Sequence, residues 1–128
     1  WVPRSHATTL GGRARLGAAA VKTQEVILRD RRMETAASLG AWALERCAQI
    51  RAKFPTAVAD VRGLGLMLGI ELASGGKEVW KALLDKGFIV NLSHERTLRL
   101  LPALNVSKED LEAFASALEE ILSGLAHK

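Results

Sequence analysis

Two short stretches carry side chains able to hold an anion. The first is Thr8-Thr9-Leu10-Gly11-Gly12, just ahead of an alanine-rich segment. Hydroxyls, glycine amides and the positive end of a helix dipole together make an anion site. Threonine and glycine serve equally as plain capping residues, so the stretch alone does not decide between the two. The second is Arg99, a charge set within Leu98-Arg99-Leu100-Leu101-Pro102. An arginine inside an apolar strand needs a partner, either a protein acid or a ligand carboxylate. By alternation it faces opposite to Leu98 and Leu100. An outlook onto water, or a surface bridge to Glu95 or Glu109, is therefore the competing reading.

Other chemistries find less support. There is no Ser/His/Asp signature. Three histidines and one cysteine are scattered, which is no pattern for a metal site. His94 falls in a polar turn, where a solvent-facing role is expected. Glu71 ends an apolar strand; it has the type of a catalytic acid, but such a residue more often pairs with an arginine. Cys47 reads as a small core residue on a helix. Trp42 and Trp80 read as packing or interface residues.

Composition sets the frame for these residues. The chain has 128 residues, 48% hydrophobic and 25% charged, as expected of one folded domain. No apolar run reaches the roughly 18 residues of a membrane span, and no secretory signal is evident, so a cytoplasmic location is expected. A lone cysteine agrees with a reducing compartment. The formal charge of +4 raises nucleic acid as a partner. The densest basic run, Arg29 to Arg32, contains Asp30 and lacks an aromatic, so a solvated helix end is expected instead. Val2-Pro3-Arg4-Ser5-His6 has the look of a protease-site tag remnant, or of native loop.

The periodicity predicts the elements. Residues 1–12 read as loop. A helix is expected over Ala14–Leu28, thin at Ala18 to Ala20. A second is expected over Met33–Lys53, with Met33, Ala37, Gly40, Leu44 and Cys47 on one face and Pro55 beyond its end. Val58–Arg62 and Leu66–Leu72 read as strands about a turn flanked by Gly63 and Gly65. Lys77–Lys86 reads as a helix stopped by Gly87. Phe88–Leu92 and Thr97–Leu101 read as two strands around the polar turn Ser93 to Arg96. Ser107 and Asp110 form a capping box for a last helix, with Leu111, Phe114, Leu118, Ile121 and Leu125 as its stripe. The sum is an α/β sandwich of two layers, α+β in arrangement.

Several of these segments also resemble one known family. His6-Ala7-Thr8-Thr9-Leu10-Gly11-Gly12 is similar to the H-[GA]-[ST]-T-[FY]-G-G-N-P segment of class III pyridoxal-phosphate aminotransferases. The run from Val61 to Leu72, VRGLGLMLGIEL, resembles that family's V-R-G-x-G-L-M-x-G-x-E-L. Gly87-Phe88-Ile89-Val90-Asn91 and Leu98-Arg99-Leu100-Leu101-Pro102-Ala103-Leu104 resemble its G-x-x-V-N and R-x-x-P-P-L strands. Order and intervals agree, and the likeness is greatest to the acetylornithine and ornithine branch.

The resemblance implies a fold, the C-terminal small domain of the fold-type I aminotransferases after the inter-domain helix. Residues 1–12 would then end the large domain, with 13–128 as helix and small domain. It implies that Thr9, with Thr8 beside it, contacts the phosphate of pyridoxal 5'-phosphate across a subunit interface. It implies that Arg99 holds a substrate carboxylate during amino transfer to 2-oxoglutarate. Partners would be a large cofactor-binding domain or a split-gene partner, and a second copy of the assembly. His6 falls on the family histidine, which favours native sequence from Ser5 onward. Two departures stand out: Arg13-Ala14 replaces the family's Asn-Pro, and Leu10 replaces its aromatic. The family's Schiff-base lysine and the aspartate at the pyridine nitrogen lie upstream of the matched region. No catalytic residue is therefore assigned to this chain, and alone it is expected to be inactive. A non-catalytic binding module that kept the fold is the alternative.

Overall fold

A computed structural model describes residues 12–125 of the chain. Two compact units divide between Met33 and Glu34. The first carries helix α1 (Ala14–Arg29). Its end is shaped by charge. The Asp30 carboxylate accepts hydrogen bonds from Arg29 Nε at 2.7 Å and Arg32 Nη2 at 3.0 Å, and Arg31 takes a left-handed φ of 49°. The basic run is thus partly neutralised by its own aspartate.

The second unit holds most of α2 (Arg32–Lys53), then β1 (Val58–Leu64), β2 (Met67–Leu72), α3 (Gly76–Asp85), β3 (Asn91–Ser93), β4 (Thr97–Leu100) and α4 (Lys108–Leu125). The strands form one antiparallel sheet in the order β1-β2-β4-β3. One face of it is dry. Leu68, Ile70 and Leu72 of β2, with Leu98 and Leu100 of β4, meet Cys47 and Ile50 of α2, Val79 and Leu83 of α3, and Leu118 of α4. Each fully buried aliphatic side chain there contributes about 2 kcal/mol. Arg46 of α2 bridges Glu112 at 3.1 Å and Glu119 at 2.8 Å on α4, which pins the two helices across the core's edge.

Local chemistry explains the boundaries. Asp110 N–H donates to Ser107 Oγ at 3.0 Å, and Ser107 Oγ donates to the Asp110 carboxylate at 2.6 Å, closing the expected capping box. Gly87, at φ 88°, ends α3, with its N–H on Leu84 O at 2.9 Å.

Four expectations need correction. The buried face of α2 is Gly40, Ala43, Cys47 and Ile50, while Met33 and Ala37 are exposed and Leu44 only half-buried. The stripe of α4 is Leu111, Phe114, Ala115, Leu118 and Leu122, rotated from Ile121 and Leu125. In α2 the core follows the i, i+3, i+7 row from Gly40, whereas in α4 it takes in the i+4 and i+11 positions Ala115 and Leu122, leaving Ile121 partly buried at its edge. β1 runs on through Gly63 to Leu64, so the hairpin turn is Gly65-Leu66. β3 begins only at Asn91, not Phe88. Phe88 N–H is spent on Leu83 O and Val90 O on the Trp80 indole, and Pro102 has no N–H to extend the ladder from β4.

Helices of this unit meet the sheet's turns with glycine on backbone. A Cβ at Gly40 would stand 2.1 Å from the Gly65 carbonyl oxygen, so α2 can lie on the β1–β2 turn only without a side chain there. Gly40→Ala is expected to destabilise the chain by about 3 kcal/mol, read as a lower denaturation midpoint. A midpoint shift near zero would show that the turn moves freely. Burial also pushes the Cys47 thiol up to about 11. Its reaction with Ellman's reagent at pH 8 is therefore expected to run about a hundredfold slower in the folded chain than in denaturant. Equal rates would mean that the core opens readily.

Candidate functional site

The other face of the sheet is polar, and its register lines side chains up in rows. Arg62 of β1 lies opposite Gly69 of β2, Gly69 opposite Arg99 of β4, and Arg99 opposite Asn91 of β3. The adjacent row is Asp60, Glu71, Thr97 and Ser93. A bulge between Val58 and Asp60 turns Asp60 outward while Val58 and Val61 stay on the core side. These rows enclose a trough of about 340 Å³ lined by Arg62, Gly69, Arg99, Ser93, His94 and Thr97, with Leu64 and Met67 at one shoulder.

Charge within the trough is unevenly settled. Arg62 Nη1 donates to Asp60 at 2.8 Å and to Glu71 at 2.9 Å, and Arg96 reaches Glu71 at 3.5 Å. The Asp60 carboxyl is held below its ordinary range, first by its hydrogen bond from Arg62. The Arg62 guanidinium is raised by the same bond, with Glu71 adding to it. Lys77 takes Glu95, one of the two partners considered for Arg99. Arg99 itself is exposed, and no acid among the described residues pairs with it. A guanidinium has five donors, and one that no described acid engages can take an oxyanion in two parallel bonds.

Arg99 also stands at the margin of a second, largely apolar cleft of about 330 Å³, lined by Phe88, Val90, Leu100, Pro102 and Phe114, with Asp110, whose carboxylate accepts from Ser107 Oγ, also in its wall. It is thus placed between a polar trough and an apolar one. The hairpin turn beside it is strained: His94 and Glu95 both take left-handed backbone, at φ 51° and 58°. His94 is exposed, with Nδ1 2.9 Å from Ser93 Oγ.

The remaining candidates fall out plainly. Thr8 and Thr9 lie outside the described residues. The described part of that motif starts at Gly12, with φ 78°, and continues to Arg13, an N-cap that makes no side-chain hydrogen bond. Glu71 pairs with two arginines and is no free acid. Trp80 donates its indole N–H to Val90 O at 2.9 Å, and Trp42 lies under the Lys108 ammonium at 4.9 Å. Ser93 and Thr97 are not singled out by sequence, and Gly69 enters it only as one glycine of the VRGLGLMLGIEL run. The signal that places them is cross-strand register, which no single strand displays. No group of acids, histidines and cysteine able to hold a metal is present among the described residues. Neither cleft beside Arg99 is lined by a lysine. No described helix is long and apolar enough to cross a membrane.

Comparison with known proteins places this geometry. The family model described as "Aminotransferase class-III" matches residues 1–122. Acetylornithine aminotransferase of Methanocaldococcus jannaschii is 35% identical over 118 residues, covering 92% of this chain and 29% of that protein. Ornithine aminotransferase of an Exiguobacterium species is 33% identical, covering 97% and 30%. Among solved structures, a lysine aminotransferase from M. tuberculosis superimposes with a TM-score of 0.85 at 30% identity, over 95% of this chain and 28% of that one. The chain therefore spans less than a third of the length of these relatives.

Proposed function

The chain belongs to the class-III aminotransferases, and we propose that it is the small-domain portion of such an enzyme, the part that grips the carboxylate of the amino or oxo acid. The observation that carries this reading is the Arg99 guanidinium, exposed beside an open trough and unmatched by any described acid. The relatives' names support an ornithine-like or acetylornithine-like amino donor; 2-oxoglutarate as the acceptor is part of the proposal. The same reading makes residues 1–12 the end of a large domain. Thr8 and Thr9 would touch the cofactor phosphate there, in a homo-oligomeric assembly.

Within that assembly this chain's work is binding and orientation. Pyridoxal phosphate supplies the electron sink when bound, and the large domain would bring the lysine that works with it. Arg99 would hold the substrate carboxylate through two N–H···O bonds, fixing both its distance and its rotation. Rotation matters because a carboxylate held by one bond can turn about it, whereas two bonds fix which face of the substrate is presented. β4 is a suitable mount: its neighbours Leu98 and Leu100 are locked in the core, so the arginine's backbone cannot drift.

Two measurements test this. The chain alone, mixed with pyridoxal phosphate and reduced with borohydride, is expected to show only scattered surface labelling by mass spectrometry. Stoichiometric labelling of one lysine, together with turnover, would contradict the division of labour. In an assembly with the large domain, Arg99→Lys keeps the charge and loses the fork. We expect kcat/KM for the oxo acid to fall about a hundredfold, equivalent to about 3 kcal/mol, with Tm unchanged. Retention of both turnover and Tm would leave Arg99 a plain surface residue.

A further inference from the structure

We propose that Gly69 is a specificity-determining clearance position, kept free of a side chain so that an elongated carboxylate can lie over β2 while Arg99 holds its end. The proposal rests on the carboxylate role of Arg99 and adds a residue that takes no part in gripping the ligand.

The case begins with what Gly69 is not needed for. Its φ lies outside the left-handed region, so the backbone does not demand glycine. Packing does not demand it either. A Cβ at Gly69 would sit 3.6 Å from Thr97 Cγ2 and 3.9 Å from Arg62 Cγ, both ordinary contacts. Gly63, six residues earlier, differs: a Cβ there would come 2.4 Å from the Met67 carbonyl oxygen. Glycine in the middle of a strand costs about 0.5–1 kcal/mol relative to alanine. At Gly69 that cost has no structural return, in a strand paired on both sides.

Its position supplies the return. Gly69 is the direct cross-strand partner of Arg99 on one side and of Arg62 on the other. Directly opposed side chains in an antiparallel pair stand about 5 Å apart. Any side chain at 69 would rise beside the Arg99 stem and between the two arginines, filling the floor of the 340 Å³ trough. Without one, the floor is bare backbone. Glycine inside a strand commonly marks a place where a ligand comes close to the main chain. Asp60 and Glu71 already occupy Arg62, so the fork open to a ligand is that of Arg99. A ligand gripped there extends along the floor towards Leu64 and Met67, whose exposed side chains suit its methylenes. The class that fits is an acyclic, elongated carboxylic acid; a branched or bulky one would need more width than the row allows.

Glutarate, an unreactive dicarboxylate, provides the probe, titrated into the 128-residue chain and followed by backbone amide shifts in NMR. Arg99→Ala is expected to abolish the saturable shifts. Gly69→Ala is expected to weaken binding about threefold and Gly69→Val about tenfold or more, with Tm equal to or above that of the unsubstituted chain. Binding within roughly twofold for Gly69→Val, while Arg99→Ala loses it, overturns the clearance role and leaves Arg99 standing. If neither substitution alters binding, or the unsubstituted chain shows no saturable shift near Arg99, the carboxylate reading falls and takes this inference with it. Should Gly69→Val fail to fold, Gly69→Ala decides: affinity unchanged at equal or higher Tm overturns the proposal.

Discussion

The structure depends on the register of β4 against β2. Ile70 stands opposite Leu98 and Gly69 opposite Arg99. Leu98 is 0% exposed and Leu100 7%. A slip of one residue would turn both leucines to water and drive a guanidinium into the core. The lost transfer energy alone would be about 4 kcal/mol, before the cost of an unpaired buried charge. Hydrophobic burial on one face therefore fixes where the arginine points on the other. The position of the binding group is a consequence of packing, and no ligand is needed to set it.

That register is held by contacts as close as the chain allows. Gly40 lets α2 settle on the Gly65 carbonyl at one end of the sheet. At the other, Gly76 at the start of α3 lies against the Glu95 carbonyl, where a Cβ would stand 2.1 Å away. The helices thus grip the β1–β2 and β3–β4 turns, the two hairpin ends that bracket the trough. His94 and Glu95 keep a backbone conformation that favours glycine or asparagine, and the contact at Gly76 is one element that holds it.

Much of this was legible in the sequence because it is local. Ser107 and Asp110 announce the start of α4, Gly87 announces the end of α3, and the apolar alternation around Arg99 tells that it faces away from Leu98. What was not legible depends on distant neighbours. The true faces of α2 and α4 are set by what the sheet offers, so Met33 and Leu125 fall outside the core. The late start of β3 follows from Trp80 and Leu83 claiming backbone groups of the Phe88–Val90 run. Arg62 as the neighbour of Arg99 through Gly69 emerges only when three strands are set side by side.

Electrostatics completes the argument for Arg99. The acids of this face are already engaged. Asp60 is shared by Arg62 and, at 3.7 Å, by Arg51; Glu71 is shared by Arg62 and Arg96; Glu95 is bound to Lys77. Each carboxylate there serves a cation other than Arg99, and two of them serve more than one. Positive charge is thus in surplus on this face, and Arg99 is the cation there that no described acid pairs with, on a rigid strand, over a floor of bare backbone. Exposed ion pairs of this kind add little to stability, about 0–1 kcal/mol each. Their larger effect is to keep the neighbouring acids from folding over onto Arg99. A carboxylate arriving from solution then meets a fork that no described acid occupies, which is the condition under which two parallel hydrogen bonds can orient it.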